Sequence, residues 1–301
     1  MFSRIVYIVN PASQNGATGR MWPEIARALP ASTDVRMTTG QGDAISHARE
    51  AAVAGADLIV SVGGDGTLNE VTSGLMLVAE DKRPALAMFP QGTGGDFRRT
   101  LGYPSSPAAV STLINRGHTR AIDVGHLQYK TASGADSSRY FINICSFGLS
   151  GCVDEAVNNT TKMLGGKASF LIGTMRAFLK WKPLDVEVAL DEQPFVKTKV
   201  MFVAVCNGRA FGGGMLAAPT ADPSDGRFEV LTVMSDGLND LLNFNLIYKG
   251  EHIGQKTTRY EAAKRVRARS AETVLLDVDG EQLGLLPIEI NLMRNALRFV
   301  V

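Results

Sequence analysis

Three short stretches, RIVYIV (4–9), DLIVSV (57–62) and ALAMFP (85–90), carry apolar side chains at nearly every position. A strand alternates its side chains between two faces, so strands of this kind are stable only with both faces covered. A parallel sheet flanked by helices gives that cover, and the segments between the runs read as helices. Met21–Leu29 places Met21, Trp22, Ile25, Ala26 and Leu29 on one face. GDAISHAREAAVAG offers Asp43 as N-cap and Gly55 as stop, and Thr67–Ala79 carries Leu68, Val71, Leu75 and Val78 on one stripe. With DVRMT (34–38) as a further short strand, this half of the chain predicts an open parallel α/β sheet.

Near Ala121 the texture changes. AIDVGHL, RYFINICSF, LDVEVAL, VKTKVMFVAVC, GRFEVLTV, KRVRARS and TVLLDVD read as strands, and several alternate polar and apolar residues. That pattern predicts a mostly antiparallel, one-faced β structure. Helical stretches at 153–181 and 237–249 interrupt it. The terminal ALRFVV is apolar enough to be buried and is expected to return to the first sheet. The domain reading is an α/β domain over 1–121 and 289–301 and a β-rich domain over 122–288.

The 31 Lys+Arg nearly cancel the 30 Asp+Glu, so no bulk electrostatic grip on nucleic acid is expected. No apolar run approaches the roughly 20 residues of a membrane-spanning helix. MFSRIVYIVNP lacks the features of a signal peptide, and Cys145, Cys152 and Cys206 show no C-x-x-C spacing. Both point to a cytoplasmic protein with free thiols. Neither a G-x-x-x-x-G-K-[ST] phosphate loop nor G-x-G-x-x-G occurs, and His47, His118, His126 and His252 show no metal spacing.

Polar glycine clusters follow three of the expected parallel strands: NPASQNG (10–16), GGDGT (63–67) and PQGTGGDF (90–97). Parallel strands share a direction, so the three loops are expected on one sheet edge, where open α/β sheets bind ligands. Glycines let backbone N–H groups approach a ligand, and a helix N-terminus favours phosphate. Asp65 would repel phosphate unless Mg²⁺ lay between them. The alternative is a tight strand–helix turn with Asp65 or Thr67 as cap. In VDGE (278–281), Glu281 is either part of a plain hairpin or a general base.

In this order, VNPASQNG, SVGGDGTLNEV, PQGTGGDF, IDVG, NGRAFGGGMLAAPTADPSDGRFEV and DVDGE resemble the motifs of diacylglycerol kinase catalytic domains, most of all the stand-alone bacterial lipid kinases. That family includes sphingosine and ceramide kinases; NAD kinases share GGDGT, and phosphofructokinases have a close variant. The resemblance implies an NAD-kinase/phosphofructokinase-like α/β domain beside the β-rich one, with nucleotide bound in a cleft. It implies ATP and Mg²⁺ as cosubstrates and a lipid hydroxyl, such as that of diacylglycerol, as acceptor. Carried over by position, Asn10, Thr38, Gly64, Asp65, Gly66, Thr67, Leu68, Asn69, Glu70 and Thr93 line the ATP site. Asp65 organises Mg²⁺, and Glu281 is the catalytic base. Asp225, with the carbonyls of Asp222 and Arg227, matches a second, structural Mg²⁺ site; the alternative there is an Asx-type turn. Two departures stand out. Gly95 replaces the family's Asn, removing a side-chain hydrogen bond near the phosphates. LMRNALRFVV lacks the family's Pro before the last strand, which is expected to alter a turn.

The expectation is therefore an ATP-dependent lipid kinase. The rivals are a soluble-substrate kinase of the NAD kinase type and a non-catalytic nucleotide-binding regulator. Phe170, Leu171, Met175, Phe178, Leu179 and Trp181 form either an acceptor wall or ordinary core. The lipid partner places the protein peripherally at a membrane surface, transiently at the inner membrane face, and a homodimer is open. Arg265, Arg267 and Arg269 fall on one strand face, as a contact for anionic headgroups or simply a solvated face.

Overall fold

The computed structural model describes residues 2–32, 34–92, 94–149, 182–235 and 240–301. The chain forms two compact units, Met1–Val124 with Met293–Val301, and Gly125–Leu292. The cuts fall a few residues beyond 121 and 289. The change in texture marks the start of a strand, whereas Asp123 still works in the first unit: its carboxylate accepts the Asn295 amide at 2.7 Å.

The first unit alternates β1 (Ile5–Val9), α1 (Ala17–Ala28), β2 (Asp34–Met37), α2 (Asp43–Val53), β3 (Leu58–Gly63), α3 (Asp65–Met76) and β4 (Ala85–Pro90). Two further helices follow, α4 (Asp96–Leu101) and α5 (Pro107–Arg116). β2, β1, β3 and β4 pair in that order, all parallel. The apolar runs are covered on both faces: Val6, Ile8, Leu58, Ile59, Val60 and Leu86 are fully buried. α2 presents Ala44, Ala48, Ala51 and Ala52 as its buried face, a narrow surface that lets it lie close to α3. α1 begins at Ala17 rather than Met21, because Gly16 turns the chain in the left-handed region (φ 83°); Met21 lies on the exposed side.

The last strand, β14 (Glu281–Val300), ends in this unit, pairing parallel with β4 through Phe299 and Leu86. Phe97 and Tyr103 meet the Phe299 ring edge-on at 5.9 and 5.8 Å. No turn precedes ALRFVV: the strand runs on without a break, kinked at Asn295 (φ 53°).

In the second unit, β5 (Thr119–Lys130) pairs with β6 (Asp136–Phe141) from Gly125 onward. β7 (Ile144–Gly148), β8 (Leu184–Leu190), β9 (Val196–Cys206), β12 (Arg265–Arg269), β13 (Leu275–Val278) and β14 form a closed circuit of antiparallel pairings. This barrel encloses a core that includes Phe147, Val203, Val266, Leu276 and Ile290, with Phe141 and Phe228 stacked at 5.6 Å. β10 (Phe228–Met234) and β11 (Thr258–Ala263) extend the sheet from β9. A second core over Phe202, Ala204 and Leu231 includes Ile247 of α6 (Asp240–Lys249). Pro287 falls where β14 exchanges β13 for β12, so its missing N–H costs no ladder bond.

Candidate functional site

The strand order 2-1-3-4 reverses direction between β1 and β3, and a switch of that kind opens a crevice at the strands' carboxyl ends. The loops after β1, β3 and β4 meet there. The Asn10 side chain donates from Nδ2 to Thr67 Oγ1 at 3.1 Å and accepts the Ala12 amide at 3.0 Å. This fixes the first loop against the start of α3. The Gln91 amide donates to the Gly63 carbonyl at 2.7 Å. Beyond it the second and third loops touch backbone to backbone: a Cβ on Gly92 would lie 2.5 Å from the Gly64 Cα, so only glycine fits.

Asp65 opens α3 and does not cap it; Gly64 is the N-cap and offers no side chain. Instead Asp65 Oδ2 accepts the amides of Gly95 and Asp96 at 2.9 and 3.3 Å, fastening the β4 loop to the β3 loop. Asp96, buried and ion-paired with Arg99, lies close by. Its Oδ2 and that of Asp65 fall 3.5 and 3.0 Å from the point a Gly94 Cβ would occupy. Asp65 Oδ1 accepts nothing among the described residues. One or two carboxylates at the rim of a glycine pocket suit an Mg²⁺ whose other ligands are water and phosphate oxygens. Among the described residues no cluster of three or more His, Cys, Asp or Glu could hold a metal unaided. Asp96 was not among the expected ATP-site residues, and its place directly after the glycines of PQGTGG is the sequence signal for it.

The other expected nucleotide residues divide. Gly64 and Leu68 line the pocket, and between them in sequence Gly66 and Thr67 lie in the first turn of α3. Thr38 directly follows β2, buried, with its amide on the Val9 carbonyl at 2.9 Å. Asn69 is buried in α3. Glu70 turns to α2, where its two oxygens accept the amides of Gly42 and Ala44 at 2.9 and 3.2 Å. This corrects the cap expected for α2. Asp43 looks back to accept the Thr39 hydroxyl and the Thr39 and Gly40 amides, bonds that lower its pKa. Glu70→Ala strands two amides at a buried helix start and lowers the unfolding free energy by about 2 kcal/mol. Urea unfolding reads this, and an unchanged midpoint would contradict it. Thr93 lies outside the described residues, as do Cys152 and the apolar segment Phe170–Trp181.

In the second unit, Asp279 (φ 51°) and Gly280 (φ 88°) make the tight turn of the β13–β14 hairpin. Asp279 is buried, its carboxylate accepting the amides of Ile142, Asn143 and Ile144 at 3.1, 3.1 and 2.8 Å. Asp277 accepts the Gly280 amide and the Ser146 hydroxyl. Asn207, from the NGRAF stretch, donates to the Ile142 carbonyl at 2.7 Å, and Asn143 donates to the Ala210 carbonyl. Motifs far apart in sequence therefore build one rigid base for Glu281. The Glu281 carboxylate is 25% exposed and meets the Arg139 guanidinium at 3.4 Å, an orienting contact that no short motif reveals. Burial, with Asp277 and Asp279 nearby, raises the pKa of the Cys145 thiol; burial does the same for Cys206, and both are free.

In TADPSDGRF the backbone closes on the side chains of Asp222 and Asp225. The Asp222 carbonyl accepts the Asp225 amide, and the Asp225 carboxylate is held by the Arg227 amide at 3.1 Å and Nε at 3.0 Å. The Arg227 guanidinium thus sits against the Asp225 carboxylate, and the local bonds are those of an Asx-type turn. Arg227 also reaches Glu229, whose pKa burial raises. The β12 arginines are likewise engaged within their own unit. Arg265 pairs with Glu289 and Glu192, and Arg269 with Glu187. Arg267 donates to the carbonyls of Asp191 and Gln193, and Arg267 and Arg269 lie over the Phe195 ring. They are therefore not a free stripe for headgroups. Among the described residues no helix is long and apolar enough to cross a membrane.

Comparisons with known proteins give two successive family matches. Residues 4–127 match the diacylglycerol kinase catalytic domain, and residues 143–301 match the YegS C-terminal NAD kinase beta sandwich-like domain. A diacylglycerol kinase of Bacillus subtilis is 33% identical over 97% of this chain and 94% of its own length. One from Staphylococcus haemolyticus is 31% identical over 97% and 86%. A crystal structure of a Bacillus anthracis diacylglycerol kinase superposes with a TM-score of 0.70 at 25% identity, covering 99% of this chain and 97% of the other. A second crystal structure from that strain gives 0.77 at 28% identity with the same coverage.

Proposed function

Because the chain belongs to the diacylglycerol kinase family, we propose that it transfers the γ-phosphoryl group of ATP to the hydroxyl of diacylglycerol or a closely related lipid alcohol. The observation that carries this reading is Asp65, a carboxylate fastened by two backbone amides at a glycine-lined rim, whose other oxygen accepts nothing among the described residues. Phosphoryl transfer needs positioning and charge neutralisation more than covalent help.

The amides at the start of α3 and the glycines of the β4 loop receive the phosphates, and Asn10 and Thr67 hold the loops in place. Asp65, with Asp96 nearby, would hold Mg²⁺, which would supply charge neutralisation on the phosphates. As the lipid oxygen bonds to the γ-phosphorus and the bond to ADP breaks, the hydroxyl proton passes to Glu281, oriented by Arg139. The acceptor resides in a bilayer, so the enzyme meets it peripherally at a membrane surface, transiently and from the cytoplasmic side.

Incubation with ATP and mixed micelles of diacylglycerol, monoacylglycerol, phosphatidylglycerol or ceramide tests the reading. One of the four is phosphorylated in preference to the others, and NAD in their place is not. Phosphorylation of NAD alone would overturn the lipid assignment.

A further inference from the structure

Gly95 stands where the resemblance leads one to expect an asparagine, and it adopts the left-handed conformation (φ 60°), which asparagine also tolerates. The space its side chain would enter is not empty of donors. A Cβ on Gly95 would lie 3.5 Å from Nε of Arg98, so the Arg98 guanidinium begins where a residue-95 side chain would extend. Arg98 is half-buried and lines the same pocket as Gly64, Asp65, Gly92 and Gly95.

Arg98 forms no ion pair among the described residues, although the Asp65 carboxylate lines the same pocket. The neighbouring Arg99 is taken by Asp96. A partly desolvated guanidinium needs an anion, and its planar fork suits a phosphate better than a single point donor would. The start of α3 favours negative charge at the same pocket.

We propose that Arg98 is a nucleotide-binding residue of this chain, donating to the phosphates of ATP in place of the side chain that Gly95 lacks. The inference rests on the ATP-binding reading above. It assigns Arg98 to the polyphosphate and not to the adenosine.

Isothermal titration with ATP·Mg²⁺ and with adenosine tests it, using wild type, Arg98→Ala, Arg98→Gln and the double variant Arg98→Ala/Gly95→Asn. Loss of a charge-assisted contact weakens ATP binding by about tenfold or more. Adenosine binding stays the same, and the added asparagine recovers part of the loss. Arg98→Gln gives a second reading should the alanine variant fold poorly. ATP affinity equal to wild type in a folded Arg98→Ala or Arg98→Gln protein overturns the inference and leaves the ATP reading standing. An equal loss for adenosine also overturns it, because it marks a general disturbance of the site. Failure of the wild type itself to bind ATP brings down the underlying reading as well.

Discussion

Asp65→Asn lowers kcat for lipid phosphorylation by about a hundredfold or more, the scale on which a site loses a key charge stabiliser. Asparagine keeps the shape and one oxygen acceptor, so the Gly95 amide retains a partner and the loops stay joined. What disappears is the negative charge that would hold Mg²⁺ against the phosphates. The apparent affinity for ATP·Mg²⁺ falls together with kcat, while the thermal midpoint moves little. Steady-state kinetics beside a melting curve separates these effects, and near-normal turnover in a folded Asp65→Asn protein would contradict the role given to Asp65.

Glu281→Gln has a different signature. Its kcat also falls by about a hundredfold, the usual scale for a general base. ATP affinity holds, because Glu281 is assigned to the acceptor proton and not to the nucleotide. Glutamine still accepts from Arg139, and the Asp279 bonds that carry the hairpin are untouched, so the fold is preserved. If ATP affinity fell in step with kcat, Glu281 would have to be reassigned to nucleotide binding.

How much of this could be read from the sequence follows from the range over which each feature is determined. β1, β3 and β4 were legible because a strand buried on both faces needs consecutive apolar residues, and RIVYIV, DLIVSV and ALAMFP have them. The glycine rim was legible because the contact between Gly64 and Gly92 admits no side chain. α5 carried its signals openly, with Ser106 as N-cap, Pro107 at the first position and Gly117 as stop, and needed only to be looked for. β11, TRYEAA, was missed because its alternating pattern puts few apolar residues in view. The first half of β14 was hidden by Pro287, harmless only because the strand changes partner there.

The site divides in the same way. Asp65 and Glu281 stand in short motifs whose chemistry is local. The capping of α2 by Glu70, the orienting of Glu281 by Arg139 and the engagement of Asp225 by Arg227 depend on what the fold brings alongside. The arginines of β12 do share one face, as their period-two spacing indicates, but their partners Glu187 and Glu289 lie on neighbouring strands and are not visible in the local pattern.

The most direct test is transfer of label from γ-phosphate-labelled ATP in the presence of diacylglycerol micelles, with the wild type beside Asp65→Asn and Glu281→Gln. The account predicts label in the lipid phase for the wild type and almost none for either variant. Label released only as free phosphate, or lipid labelled equally by all three proteins, would contradict it.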